Sequence, residues 1–93
     1  MGTKARQRPE RLAEKLLQIR LGLDLSQSDM LRRLELEDVI SYKKISDYER
    51  GEREPSLLIL LQYARAAGVC VDTLIDDQLD LPSKLPARRK HPR

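Results

Sequence analysis

Two adjacent lysines follow a serine that is placed to cap a helix. The segment Ser41-Tyr42-Lys43-Lys44 puts both cations in the first turn of that helix. Free backbone N–H groups and the helix dipole favour an anion such as phosphate at this position. A lysine can also donate hydrogen bonds to O6 and N7 of a guanine base. These residue types point to polyanion binding, and the alternative is a charge pair on a solvated face.

Residue types that could catalyse a reaction are few and scattered. The single histidine, His91, lies between prolines near the C-terminus, and the single cysteine, Cys70, has no partner nearby in the sequence. Cys70 precedes a predicted helix and is expected to be a buried structural thiol. The four glycines form no phosphate-binding loop. A group of aspartates is predicted to form a solvated face: Asp72, Asp76, Asp77 and Asp80. The sequence therefore predicts no enzyme, no cofactor and no metal site.

Charge is distributed unevenly along the 93 residues, of which 35% are charged. Residues 1–11 contain four basic residues and one acid, and residues 82–93 contain five basic residues and no acid, whereas the segment between them is net negative. Basic arms favour polyanions such as DNA, RNA or anionic lipid, unless they are only solvated tails. The longest apolar run, Leu57–Leu61, is too short for a bilayer, and no secretory signal begins the chain. These features predict a cytoplasmic protein without a membrane segment.

Apolar residues recur at helical spacing in five short segments. The first helix is predicted to have Pro9 in its first turn and to stop at Asp24. Its apolar stripe is Leu12, Leu16, Ile19 and Leu23. Glu35–Ile40 is predicted to be a loop with one helical turn. In the third helix, Ile45 and Tyr48 are predicted to face the core.

Local signals mark where the other helices begin and end. Ser26, Ser41 and Ser56 are predicted to cap the second, third and fourth helices, and Gly51 and Gly68 to end the third and fourth. The predicted stripe of the fourth helix is Leu57, Leu60, Leu61 and Ala64. Prolines after residue 81 prevent a further helix. The predicted fold is all-α, a compact bundle of about five short helices over residues 9–81, with a basic N-terminal arm (1–8) and a basic, proline-rich tail (82–93).

Four pieces of the chain resemble the phage repressor/Cro-like helix-turn-helix family in order and spacing. They are Leu25-Ser26-Gln27, Ile40–Ser46, Tyr48–Gly51 with Pro55-Ser56-Leu57, and Ala64–Val69 with Asp72-Thr73-Leu74. The resemblance extends over about residues 10–77. It implies that the second and third helices form a DNA-reading unit, in which the third helix lies in the major groove of double-stranded DNA.

The resemblance also assigns roles to individual residues. It implies base-edge contacts by the N-terminal residues of the third helix, phosphate contact by Gln27, and approach to the DNA backbone by the turn after the third helix. The predicted DNA-binding residues are Gln27, Ser41, Tyr42, Lys43, Lys44, Ser46, Asp47, Arg50 and Arg53. Two alternatives stay open: Gln27 is an ordinary helix former, and the two arginines pair with Glu49, Glu52 and Glu54.

Three features depart from the family pattern. Glu35 stands where glycine is frequent, Leu31 stands where alanine is frequent, and residues 36–39 lengthen the turn between the second and third helices. Acids in that turn oppose DNA binding unless the turn points away from the duplex.

Apolar residues after the fourth helix exceed what one small core requires. They either close the monomer or form a two-fold contact: Val69, Val71, Leu74, Ile75 and Leu79. The predicted function is a sequence-specific transcriptional regulator, most simply a repressor that binds a palindromic operator as a homodimer. The alternative is an antitoxin-like or adaptor module whose main partner is another protein. No small-molecule ligand is indicated, because no ligand domain is evident.

Overall fold

The computed structural model describes residues 8–86, and this part of the chain contains five helices. They are α1 (Leu12–Gly22), α2 (Gln27–Arg33), α3 (Tyr42–Glu49), α4 (Leu57–Ala67) and α5 (Val71–Ile75). No strand occurs between residues 8 and 86. The predicted all-α class is therefore confirmed. The expected anion contacts of residues 1–7 and 87–93 lie outside the described residues.

Serine side chains cap the N-termini of three helices, as predicted. The hydroxyl oxygen of Ser26 accepts a hydrogen bond from the N–H of Asp29 at 3.0 Å, and that of Ser56 accepts from Ile59 at 3.3 Å. Ser41 caps α3 by accepting from the N–H of Lys43 at 3.2 Å. Each bond satisfies a donor that has no partner inside its own helix.

Residues in the left-handed backbone region follow the first four helices. Gly51 (φ 75°) and Gly68 (φ 78°) follow α3 and α4 as predicted, and Asp24 (φ 63°) stops the chain after α1. Glu35 also lies in this region, with φ 61°. The position where the family favours glycine therefore keeps the backbone geometry of glycine, at a cost of roughly 1–2 kcal/mol for a residue with a Cβ atom.

The turn between α2 and α3 contains one hydrogen-bonded helical turn, as predicted. The carbonyl of Leu36 accepts hydrogen bonds from the N–H groups of Val39 (2.9 Å) and Ile40 (3.0 Å). Leu36 is buried and anchors this turn to the core, whereas Glu37 and Asp38 are exposed. The longer turn is thus built around one leucine that points inward and acids that meet solvent.

All five helices contribute to a single apolar core. Ile45 and Tyr48 of α3 face it as predicted, and so do most residues of the first stripe. The buried apolar residues are Leu12, Leu16, Ile19, Met30, Leu34, Leu36, Ile45, Tyr48, Ile59, Leu60, Tyr63, Ala64, Ala67, Leu74 and Leu81. The predicted stripe of α4 was wrong at Leu57, which is 81% exposed. α4 turns Ile59 and Tyr63 inward instead, because both lie on the face that docks on the core.

The N-terminus of α1 is held by the segment after α5. The N–H groups of Glu10 and Arg11 donate to the carboxylate of Asp77 at 2.9 and 3.0 Å. The guanidinium of Arg11 donates to Asp80 at 2.7 Å. These bonds lie ahead of α1, which begins at Leu12 rather than in the turn of Pro9. The expectation that these aspartates form a solvated face was wrong for Asp77, which binds the backbone ahead of α1, whereas the side chain of Asp80 is 78% exposed.

Two further side chains were not foreseen from the sequence: Lys15, for which no role was predicted, and Cys70, which was expected to be buried. Lys15 is fully buried, and its ammonium donates to the carbonyls of Thr73 (2.8 Å) and Asp76 (2.9 Å) at the C-terminus of α5. The negative end of the helix dipole favours a cation there. Cys70 is exposed, not buried, because it occupies the N-cap of α5 while the following Leu74 turns into the core.

Candidate nucleic-acid interface

The N-terminal turn of α3 presents its side chains to solvent. Ser41, Tyr42 and Lys43 are exposed, and Lys44 is half-buried. The cap at Ser41 fixes where the helix begins, and the burial of Ile45 and Tyr48 fixes which face of the helix turns outward. The predicted candidates for base contact therefore project together from one rigid element.

An exposed network connects the middle of α3 to the turn that follows it. The guanidinium of Arg50 donates to Ser46 Oγ (2.7 Å), to Asp47 Oδ1 (2.8 Å) and to Glu52 Oε1 (3.1 Å). Arg53 Nε lies 3.4 Å from Asp47 Oδ2. Four predicted interface residues thus form one cluster, in which the cations are shared with acids of the same surface. The expected pairing of Arg50 with Glu52 is present.

A second network lies beneath this surface and was not predicted. Arg20 of α1 donates to both carboxylate oxygens of Glu49 in α3, at 2.7 and 3.0 Å, and to the carbonyl of Leu25 at 3.0 Å. Gln27 donates to Glu49 Oε1 at 3.1 Å. The side chains of Arg20 and Glu49 are 15% and 5% exposed. Hydrogen bonding to Glu49 raises the pKa of Arg20, so this guanidinium stays protonated.

This buried network holds α1, the first residue of α2 and the end of α3 in one arrangement. Glu49 therefore pairs with Arg20 and not with Arg50 or Arg53, the partners that the sequence left open for it. A sequence signal existed: Arg20 lies four residues after Leu16, and Glu49 lies four residues after Ile45. Each charged residue therefore falls on the buried face of its helix, where an ion requires a partner.

The predicted dimer residues fall into three classes of exposure. Leu74 is fully buried in the core of the chain, so it can only support an interface from behind. Val69 and Val71 are half-buried, whereas Ile75 (43%) and Leu79 (41%) are exposed. The apolar surface available to a partner is therefore smaller than the five residues suggest.

Neither a candidate metal site nor a membrane-spanning helix is found in residues 8–86. Between residues 8 and 86, no group of three or more histidine, cysteine, aspartate or glutamate side chains is arranged to hold a metal ion. None of the five helices is both long enough and apolar enough to cross a bilayer.

The sequence of this chain matches the model of a known protein family, the helix-turn-helix family. Its sequence model covers residues 16–74, more than half of the chain, from the first half of α1 to α5. No curated protein and no solved structure shows significant similarity to the chain. Members of this family regulate transcription and are generally not enzymes. The chain belongs to the helix-turn-helix family of the Cro/C1 type and is a DNA-binding transcription regulator.

Proposed function

We propose that the chain is a repressor that binds a palindromic operator as a homodimer in the cytoplasm, with α3 in the major groove. The observation that carries this proposal is the exposed, capped N-terminus of α3, which presents Tyr42 and Lys43 beside the half-buried Lys44. The first residues of a recognition helix are those that meet base edges. Lysine donors recognise guanine, and the aromatic ring of Tyr42 adds apolar contact surface.

Selection of bound duplexes from a random pool, at a stated salt concentration, tests sequence recognition. We expect an enriched palindrome whose half-sites are about 10 base pairs apart, or a multiple of that spacing. Replacing Lys43 and Lys44 with alanine should reduce the preference for this cognate duplex over random DNA. The expected loss is about 1–3 kcal/mol for each well-formed hydrogen-bonded contact between a lysine and a base. Arg65→Ala, at an exposed position of α4, is the matched control and should preserve the preference. A double variant with unchanged preference would refute the assignment of these lysines.

Homodimer formation is proposed through the exposed edge of the α5 region. Ile75 and Leu79 supply its exposed apolar side chains, and Val69 and Val71 are half-buried beside the core. A chain of this length also gains buried apolar surface by pairing. Sedimentation of an Ile75→Ser, Leu79→Ser variant should show a monomer at concentrations where the unaltered chain is a dimer.

A second candidate function, an adaptor whose main partner is another protein, is favoured by apolar side chains outside that edge. Leu57 and Leu58, at the start of α4, are 81% and 74% exposed, and Val39 is 67% exposed. Large exposed apolar side chains often mark a protein contact. Replacing Leu57 and Leu58 with serine tests whether these side chains serve the repressor. The repressor proposal predicts unchanged DNA binding and dimerisation, whereas loss of dimerisation would assign the self-contact to α4. If both properties are unchanged, the two leucines stay available for a different protein partner.

A further inference from the structure

A polar cleft of about 350 Å³ lies beside α3, on the flank of its exposed turn. Three cations from separate parts of the chain line it: Arg8 ahead of α1, Lys44 in the first turn of α3, and Arg53 in the turn before α4. Its other lining residues are Tyr48, Glu52 and Glu54. The convergence of three cations from distant segments is a property of the tertiary structure, because Arg8 and Lys44 are far apart in the sequence.

The two arginines of this cleft are held loosely enough to accept another anion. Arg8 Nε lies 3.8 Å from Glu54 Oε2, beyond hydrogen-bonding distance, and 46% of the Arg8 side chain is exposed. Arg53 is paired with Asp47 and is 59% exposed. Exposed ion pairs of this kind contribute little to folding, so their guanidinium groups can turn to a phosphodiester group. Arginine can bind the two free oxygens of such a group through parallel hydrogen bonds.

We infer that this cleft binds a DNA phosphate and that Arg8 thereby contacts the DNA backbone, next to the base contacts proposed for α3. The inference rests on the proposed function, because the phosphate belongs to the duplex that α3 enters. Arg8 is also where residues 1–7 join the fold, and this arm carries Lys4 and Arg6. Arg8, the last residue of the basic N-terminal arm (1–8), therefore brings the end of that arm to the cleft.

The C-terminal tail starts elsewhere. The residues that lead into it, Pro82 to Leu85, lie against Gln18, Leu21 and Gly22 at the opposite end of α1. The two basic arms are therefore not equivalent, although their composition makes them look alike. Among the described residues, Arg8 of the N-terminal arm lines the cleft, whereas Pro82 to Leu85 of the C-terminal tail do not.

Titration of the full chain with its selected duplex and with a scrambled duplex, at several salt concentrations, tests the inference. Arg8→Gln should weaken binding of both duplexes by the same factor, several-fold at low salt, and reduce the salt slope by about one. Arg65→Gln, which removes an equal charge from an exposed site outside the cleft, should change neither affinity nor slope.

A change in the opposite direction gives a second test. Glu54→Gln removes the acid that pairs with Arg8 and should strengthen binding of both duplexes, and this gain should vanish in the Arg8→Gln background. Thermal melts check that each variant is folded. If Arg8→Gln behaves like Arg65→Gln while the unaltered chain binds DNA, the inference is wrong and the proposed function stands. If the unaltered chain binds neither duplex, both are wrong. If Arg8→Gln acts as expected but Lys43→Ala keeps full preference, only the base-reading part of the proposed function is wrong.

Discussion

Asp47 and Glu49 lie two residues apart on α3, but their surroundings differ completely. Glu49 is 5% exposed and accepts three hydrogen bonds from Arg20 and Gln27, which belong to other helices. Asp47 is 25% exposed and pairs with Arg50 and Arg53, which belong to the turn that follows. A single turn of helix thus contains one acid that holds helices together and one that holds cations near a surface.

The difference between these two acids separates positioning from binding. A buried ion pair cannot exchange its partner without leaving an uncompensated charge, so Arg20 and Glu49 fix the angle at which α3 is presented. An exposed pair exchanges at little cost, so Arg50 and Arg53 can leave Asp47 for a phosphate. Rigidity beneath the surface and exchange at the surface are both useful in a DNA-binding unit.

The largest effect is expected from Glu49→Gln. The substitution leaves the guanidinium of Arg20 largely buried without its counter-ion, so the free energy of unfolding should fall by about 3–5 kcal/mol. Urea denaturation followed by circular dichroism measures this change. The control is Glu14→Gln, which removes a carboxylate that is 61% exposed, and should cost less than about 1 kcal/mol. If the free energy of unfolding fell equally in the two variants, the buried network would stabilise the fold no more than an exposed ion pair does.

Asp47→Asn should have a small effect on folding and the opposite effect on binding. The free energy of unfolding should change by less than about 1 kcal/mol, because the pairs of Asp47 are exposed. Affinity for DNA should rise several-fold, since Arg50 and Arg53 are released and one negative charge is removed. Asp72→Asn, at an exposed position of α5, is the control in the same titration. A fall in affinity would mean that Asp47 itself contacts the duplex, as the family resemblance implies.

A third acid, Asp77, should stabilise the fold to a degree that depends on pH. Hydrogen bonds from the backbone N–H groups of Glu10 and then Arg11 hold the pKa of Asp77 below its ordinary value. The folded-state pKa is therefore lower than the unfolded one, so this stabilisation is present above about pH 3.9 and is lost as the pH falls through the folded-state pKa. Asp77→Asn should flatten the acid side of a Tm profile against pH. A profile identical to that of the unaltered chain would exclude this role.

The smallest effect is expected from Tyr63→Phe. Among the described residues, the hydroxyl of Tyr63 is buried without a hydrogen-bond partner, and burial raises the pKa of this phenol. Removing an unpaired hydroxyl should leave the free energy of unfolding unchanged or raise it by up to about 1 kcal/mol. Denaturant titration measures the difference. A clear loss of stability would show that the hydroxyl supports the neighbouring Glu49 network.

Interactions between residues close in sequence were predictable here. The serine caps at residues 26, 41 and 56 and the left-handed stops at Asp24, Gly51 and Gly68 follow from short-range geometry. The helical spacing of Ile45 and Tyr48 set the inward face of α3, and thereby the exposed face of the candidate site. In α4, by contrast, the run Leu57–Leu61 is apolar on every side, so its pattern could not identify the docking face.

The sequence by itself determined the helices, their ends apart from the start of α1, the family and the outward side of the α3 N-terminus, because each depends on neighbours within a few residues or on a linear pattern. Only the tertiary structure decided the partners of the charged groups. Lys15 meets the end of α5 across 58 residues, Asp77 meets the start of α1 across 67, and Arg20 meets Glu49 across 29. Because any basic side chain can neutralise any acidic one, composition cannot predict which two residues form an ion pair. The choice is made when core packing brings two distant segments within hydrogen-bonding distance and excludes the water that would otherwise solvate them.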